Sequence, residues 1–259
     1  TAGRFPRVEV FELPFMMTNA EATSKAYWEY VQTMAPDEFK ETHVIALQVH
    51  GPGVIHTTDK AVRNVADMKG LKMRAPTRQV TKLMGTLGAI PVGMPLPGIP
   101  DALSKGTING AVIPWEVVPA VKVHELTKFH AEFDPAGGSL YTTTFVMAMN
   151  KAKYNSLPPD LKKIIDDNSG METSAWLGKV QQEGDLPGRK AASDRNNTIF
   201  TVSPAEAQEF RRKSRTLEVE WVEDMNKRGY DGRKLLDTAR ALIEKHSKAP
   251  AAKAPAKKA

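Results

Sequence analysis

Residues 69–76 read KGLKMRAP, and this stretch decides the class of fold. Leu71 and Met73 alternate with basic residues as in a short strand, Gly70 ends a helical turn before it, and Thr77 can cap a helix after it. The predicted strand ends near Arg74, immediately before that helix. In an open α/β sheet ligands bind beyond the carboxyl ends of the strands. Arg74 is therefore the first residue to consider for binding.

The same alternation continues on both sides of this stretch. Strands are predicted at 7–13, 43–49, 89–94, 108–113, 143–149 and 199–202, and helices at 20–34, 78–87, 99–105, 159–167 and from 204 onward. Residues 171–197 are predicted as helix interrupted at 186–188. Leu161, Ile164 and Ile165 should face inward. Strands that alternate with helices of this length indicate an α/β fold with mostly parallel sheets.

Composition and charge exclude several classes of protein. The 259 residues contain no cysteine, so neither disulfides nor thiolate chemistry is available. No apolar run approaches the roughly 18 residues that span a bilayer. The net charge is +6, but four lysines lie in the Ala/Pro/Lys-rich segment 247–259, which leaves +2 for the rest. We expect that segment to be a disordered tail, and we expect no nucleic-acid partner.

The sequence contains no motif of a known catalytic chemistry. It lacks the serine nucleophile elbow, the P-loop, the dinucleotide fingerprint and the HExxH zinc motif. Its six histidines are scattered, without the spacing of a metal site. We therefore expect no catalytic residues, no metal and no cofactor. Arg74 remains, because a guanidinium matches a carboxylate in geometry. Taken alone, the pattern favours a surface arginine paired with an acidic neighbour over a ligand-binding one.

Three blocks of sequence resemble a known family. These are DMKGLKMRAP at 67–76, LGAIPV at 87–92 and ALSKGTING at 102–110, with FP at 5–6, LPF at 13–15, NK at 150–151 and LP at 157–158 in the flanks. In this order and spacing they resemble the DctP-like solute receptors of TRAP (tripartite ATP-independent periplasmic) transporters. The resemblance covers residues 1–245.

The resemblance implies a two-lobed fold of the class II periplasmic-binding-protein type. Lobe I would comprise residues 1–52 and 139–175, and lobe II residues 53–138 and 198–246, with 176–197 as a connecting helical region and 247–259 as the tail. The family's first lobe begins upstream of the FP segment, so we expect its N-terminal part to be missing here. The implied protein is a periplasmic receptor, not an enzyme. It would bind a small organic acid and deliver it to the membrane permease.

The resemblance also implies where the ligand binds. Arg74 matches the family arginine that pairs with the ligand carboxylate. Ile55 and Ile113 replace polar residues of many relatives, and Leu96 falls in a segment that is often aromatic or acidic. These departures favour a monocarboxylate with an apolar or aromatic body over a four-carbon dicarboxylate. Trp115 is either a wall of the site or a core residue. The alternative functions are a regulatory ligand-binding domain of similar fold and an enzyme.

Overall fold

The computed structural model describes residues 3–248. Its helices are α1 Ala20–Met34, α2 Arg78–Thr86, α3 Ile99–Ser104, α4 Val123–Leu126, α5 Lys151–Asn155, α6 Pro159–Asp167, α7 Met171–Glu183, α8 Asp185–Ser193, α9 Pro204–Lys227 and α10 Gly232–Lys248. Its strands are β1 Thr42–Val49, β2 Val54–Thr57, β3 Lys72–Ala75, β4 Ile90–Gly93, β5 Gly110–Ile113, β6 Phe129–Glu132, β7 Thr144–Asn150 and β8 Thr198–Thr201. Within 3–248, none of the helices has the length and apolar character needed to cross a membrane.

The strands form one large mixed sheet and one small antiparallel sheet. The large sheet has the order β4-β3-β5-β2-β6-β8, and the small one pairs β1 with β7. In the large sheet β3 runs parallel to β4 and β5, and β6 runs parallel to β8, whereas β2 is antiparallel to both of its neighbours. Three of these five pairings are parallel, so the predicted α/β class is confirmed. The sheet brings the ends of β3, β4 and β5 together, and that edge positions the site.

Helix starts follow the local sequence signals closely. Asn19 caps α1 by accepting a hydrogen bond from the backbone N–H of Ala22 at 2.8 Å. Thr77 caps α2 and Ser203 caps α9 in the same way. Each cap satisfies a backbone donor that the first turn leaves without a partner. The predicted boundaries of α1 and α2 and the predicted start of α9 are therefore confirmed to within about two residues.

Residues 7–13 do not form the predicted strand. They contain a 3-10 helix, Val8–Glu12, whose five residues are all buried. In a strand Glu9 and Glu12 would lie on opposite faces, whereas residues three apart share a face of a 3-10 helix. Both acids are buried, and Glu9 pairs with Arg78 while Glu12 accepts hydrogen bonds from Thr144. The polar partners that Glu9 and Glu12 find in the protein interior therefore determine the conformation of this segment.

Two other predictions are wrong in detail. Leu161 and Ile164 of α6 are 44% and 58% exposed instead of inward-facing, because periodicity marks an apolar face without specifying what packs on it. The interruption between α7 and α8 lies at Gly184 and not at 186–188. Pro187 fits inside α8 because the first turn of a helix needs no N–H from that position. Strands β2 and β6 were not predicted at all.

The helices α9 and α10 complete the main hydrophobic core. The predicted α9 stripe is buried at Phe210, Leu217, Trp221 and Met225. Helix α9 packs on α2, whereas α10 packs on α1, which the sequence assigns to the other lobe. The proposed lobe ranges thus remain a prediction. Helix α10 extends through residue 248, two residues into the predicted tail, and the remaining tail residues 249–259 lie outside the described part of the chain.

Candidate ligand-binding site

Arg74 lies near the carboxyl end of β3, flanked by β4 and β5. It pairs with Val92 on one side and with Ala111 on the other. The residue is only 5% exposed. Its Nε donates to the carbonyl oxygen of Met94 at 3.1 Å, and its Nη1 donates to that of Val112 at 3.3 Å. These two bonds fix the plane of the guanidinium and leave its other N–H groups available.

No carboxylate within the described residues neutralises the charge of Arg74. None of the ion pairs within residues 3–248 includes Arg74, and burial lowers the pKa of its guanidinium. Arg74 is therefore not the surface arginine that the sequence pattern alone favoured. A buried cation without a carboxylate partner is costly, and an anion that enters beside it relieves that cost.

A cavity of about 820 Å³ opens beside Arg74. This volume is in the range of small-molecule sites. Polar and charged lining comes from Glu9, Glu12, Arg74, Thr77, Arg78, Thr81, Lys82, Thr143 and Thr144. Apolar lining comes from Phe5, Val8, Tyr27, Phe39, Ala75, Pro76, Met94, Pro95, Phe145 and Val146, with Gly93 beside them. The cavity thus combines charged and polar groups with a large apolar wall.

The other cations of the lining already have acidic partners. Arg78 pairs with Glu9 through its Nε at 3.1 Å and with Asp224 at 3.4 Å. Lys82 pairs with Glu220 at 3.1 Å. Among the cations of residues 3–248 that line the cavity, Arg74 is consequently the one whose positive charge is available to a ligand.

Glu12 is a buried acidic residue of the lining. It is 6% exposed, and its Oε1 accepts hydrogen bonds from Thr144 N at 3.1 Å and Thr144 Oγ1 at 2.7 Å. Burial raises the pKa of this carboxyl, while the bonds from Thr144 and from the Thr77 side chain oppose that rise. Glu12 is therefore a fixed acceptor in the same cavity as Arg74.

His50 and Tyr141 lie in segments that connect the two sheets, and the charge of Arg74 acts on the pKa values of both side chains. Burial, assisted slightly by that charge, lowers the pKa of His50 to about 4. The rings of Tyr141 and His50 meet edge-on, with their centroids 5.5 Å apart. The backbone carbonyl oxygen of Tyr141 accepts a hydrogen bond from Gly53 N at 3.0 Å. A Cβ on Gly53 would lie 2.1 Å from the Tyr141 ring. Gly53 therefore lets Tyr141 pack against the turn before β2.

The other four predicted site residues do not line this cavity. Ile55 is buried in the main core, and Ile113 is buried in a second cluster, against which the half-buried Leu96 packs. Trp115 is 4% exposed and lines a different cavity of about 810 Å³. Its Nε1 donates to Glu132 Oε1 at 2.8 Å. Of the five predicted site residues, Arg74 alone lines the cavity of about 820 Å³.

Two buried histidines form a network beneath Trp115. His56 Nδ1 and His130 Nδ1 are 2.7 Å apart, His56 Nε2 lies 3.1 Å from the carbonyl oxygen of Ile113, and His130 Nε2 lies 3.0 Å from Asn197 Nδ2. The carbonyl oxygen of Ile113 needs a donor, so His56 carries its proton on Nε2 and accepts on Nδ1. The Asn197 amide nitrogen is a donor, so His130 accepts on Nε2 and donates from Nδ1 to His56 Nδ1. In this arrangement both rings are neutral. Burial lowers both pKa values, that of His130 to about 4. Within 3–248 no cluster of three potential metal-ligating side chains is found.

Comparisons with known proteins agree with this architecture. The family model of bacterial extracellular solute-binding proteins, family 7 (DctP), matches residues 1–224. The structure is similar to that of a TRAP solute-binding protein from Rhodoferax ferrireducens in complex with copurified benzoate, with a TM-score of 0.94 and 74% identity, covering 96% of this chain and 77% of that chain. A marine metagenome TRAP solute-binding protein specific for aromatic acid ligands, co-crystallised with 3-hydroxybenzoate, gives a TM-score of 0.93 at 47% identity, with coverage of 96% and 77%.

A curated relative is more distant. The 2,3-diketo-L-gulonate-binding periplasmic protein of Escherichia coli is 24% identical over 211 residues, which are 79% of this chain. The chain spans 58% of the length of that relative. Because the family match covers residues 1–224, well over half of the 259, the chain belongs to the DctP family of bacterial extracellular solute-binding proteins.

Proposed function

We propose that this chain is the ligand-binding part of a periplasmic receptor for a TRAP-type permease, and that its ligand is a small monocarboxylate with an apolar or aromatic body. The observation that carries the proposal is the buried guanidinium of Arg74, which no carboxylate of residues 3–248 neutralises and which lines a cavity of about 820 Å³. A ligand carboxylate there would receive charge-assisted hydrogen bonds from a group held in place by β4 and β5.

The cavity walls support an apolar or aromatic ligand body. Tyr27, Phe39, Met94, Phe145 and Val146 surround the space into which the ligand body would extend. Flat apolar surfaces favour aromatic rings because offset and edge-to-face contacts add to the burial of area. Two similar proteins support this choice, since one was solved with benzoate and the other with 3-hydroxybenzoate.

A thermal-shift screen on the purified full-length protein tests the ligand class. Aromatic and branched aliphatic monocarboxylates should raise the melting temperature because they bind only the native state, whereas neutral amides of the same acids should not. Equal shifts with acid and amide would contradict a role for the carboxylate.

Delivery to the permease is a separate step of the proposal. It rests on the family to which the chain belongs. Vesicles that contain the subunits of the cognate TRAP permease should take up the acid only when the receptor is added. Uptake that does not depend on the receptor would contradict this step while leaving ligand binding intact.

A further inference from the structure

We propose that Glu12 restricts the ligand to acids with a single carboxylate, because it places a fixed negative charge in the cavity where a second carboxylate would lie. This inference rests on the proposed function of Arg74 and adds to it the residue that selects among acids.

The hydrogen bonds of Glu12 suit an ionised acceptor. Its Oε1 accepts from the backbone N–H and the hydroxyl of Thr144, at 3.1 Å and 2.7 Å. Both bonds are donated to Oε1 and favour the ionised form, so they oppose the rise in the pKa of Glu12 that burial causes. A side chain that is 6% exposed and tied at this end cannot turn away from an incoming group.

The charges of the lining leave no partner for a second anionic group. Glu9 neutralises Arg78, and Lys82 is held by Glu220 on the protein surface. A monocarboxylate takes the charge of Arg74. A second carboxylate on the same molecule would then lie in a partly desolvated cavity with Glu12 and without a cation, which is unfavourable on both counts.

Arg74 and Glu12 lie near a common residue. Both charges act on the phenol of Tyr141, with Arg74 lowering and Glu12 raising its pKa against the dominant effect of burial. The space that the two charged groups share is lined by Tyr27, Met94 and Phe145. A ligand with its carboxylate on Arg74 and a neutral body toward Glu12 fits these chemical groups. A hydroxyl on that body could donate to Glu12, whereas a carboxylate could not.

The test compares two ligands of nearly the same shape. Isophthalate carries two carboxylates on a benzene ring, and 3-carbamoylbenzoate replaces one of them with a neutral amide. By calorimetry on the full-length protein, 3-carbamoylbenzoate should bind at least about tenfold more tightly, because a like-charge contact costs at least that much in affinity. Equal affinities for the two ligands would overturn the inference.

Substitutions of Glu12 test whether this residue causes the difference in affinity between the two ligands. Glu12→Gln keeps the acceptor oxygen for Thr144 and removes the charge, so the affinity ratio should fall to within about threefold. Glu21→Gln makes the same change at a residue of the other cavity and should leave the ratio unchanged. If Glu12→Gln does not fold, Glu12→Met, of similar length, serves instead. A ratio that neither replacement alters would overturn the inference.

The two proposals fail in different ways. Suppose that benzoate binding weakens in Arg74→Ala but that the affinity ratio of 3-carbamoylbenzoate to isophthalate is the same with and without the Glu12 carboxylate. The receptor function then stands, and only the role of Glu12 is wrong. If Arg74→Ala leaves benzoate binding unchanged, the proposed function itself is wrong.

Discussion

Arg74 and Glu12 are buried ionisable residues that line one cavity, yet within residues 3–248 they form no ion pair with each other. Glu12 is held by Thr144 and Arg74 by the carbonyl oxygens of Met94 and Val112. In a core built for stability, two such charges would be paired or replaced by apolar residues. Holding them apart, each with its own neutral partners, leaves room for a ligand that uses the positive one.

The packing of Tyr141 against Gly53 gives a prediction about stability. Gly53→Ala would place a Cβ 2.1 Å from the Tyr141 ring, so the ring or the turn must move. We expect a loss of about 1–3 kcal/mol in the free energy of unfolding, the usual cost of overpacking. Urea denaturation measures it. Gly93→Ala is the control, since a Cβ there meets no atom within 4 Å, and equal stability of the two variants would contradict this packing.

The histidine network predicts acid sensitivity. The pKa of His130 is lowered from 6.5 to about 4 in the folded state, so below pH 6.5 the unfolded chain binds a proton that the native state does not. Stability is therefore full above pH 6.5 and falls as the pH drops toward 4. The linkage relation gives a loss of about 2 kcal/mol between pH 7 and pH 5 for this residue.

Chemical denaturation at the two pH values measures this loss. His130→Gln should reduce the pH dependence, because it removes one of the two titrating rings. His56 contributes in the same direction, since burial and the His130 charge lower its pKa as well. A protein equally stable at pH 5 and pH 7 would show that the pair is not buried and neutral.

A substitution of Trp115 tests whether this residue belongs to the core or forms a wall of the ligand site. Because it lines the cavity of Asp185 and Glu132 instead of the Arg74 cavity, Trp115→Phe should change benzoate affinity by less than about threefold. The variant should lose about 1 kcal/mol of stability through the missing bond to Glu132. Calorimetry and thermal melting separate the two effects. A tenfold loss of affinity at unchanged stability would make Trp115 a ligand contact.

The sequence predicts local structure well where the signals are local. Asn19, Thr77 and Ser203 act through atoms three residues away, so their helix starts are visible in the chain. Arg74 was predicted as a site residue because strand-end chemistry and a family motif coincide there. Strands β2 and β6 escaped prediction because their buried polar residues, His56 and His130, are satisfied by each other across 74 positions.

The rest of the site depends on contacts that no local pattern contains. Glu12 was hidden within an apolar alternation, and its partner Thr144 lies 132 residues away. Two acids inside an otherwise apolar segment were the available signal, since buried carboxylates need partners. Ile55, Ile113 and Leu96 were chosen by alignment to polar positions of relatives, but alignment does not show whether a replaced side chain still faces the cavity.

The most direct test of the account is calorimetric titration of benzoate into the full-length protein and its Arg74→Ala variant. The account predicts stoichiometric binding to the unmodified protein and a loss of at least about hundredfold in affinity in the variant, since removing one partner of a buried charged pair costs about 3–5 kcal/mol. The melting temperature of the variant should change little, because the two hydrogen bonds that Arg74 donates to carbonyl oxygens are lost together with a buried charge that has no carboxylate partner in residues 3–248. Affinity within a few-fold of the unmodified protein would contradict the assignment of Arg74 as the carboxylate anchor.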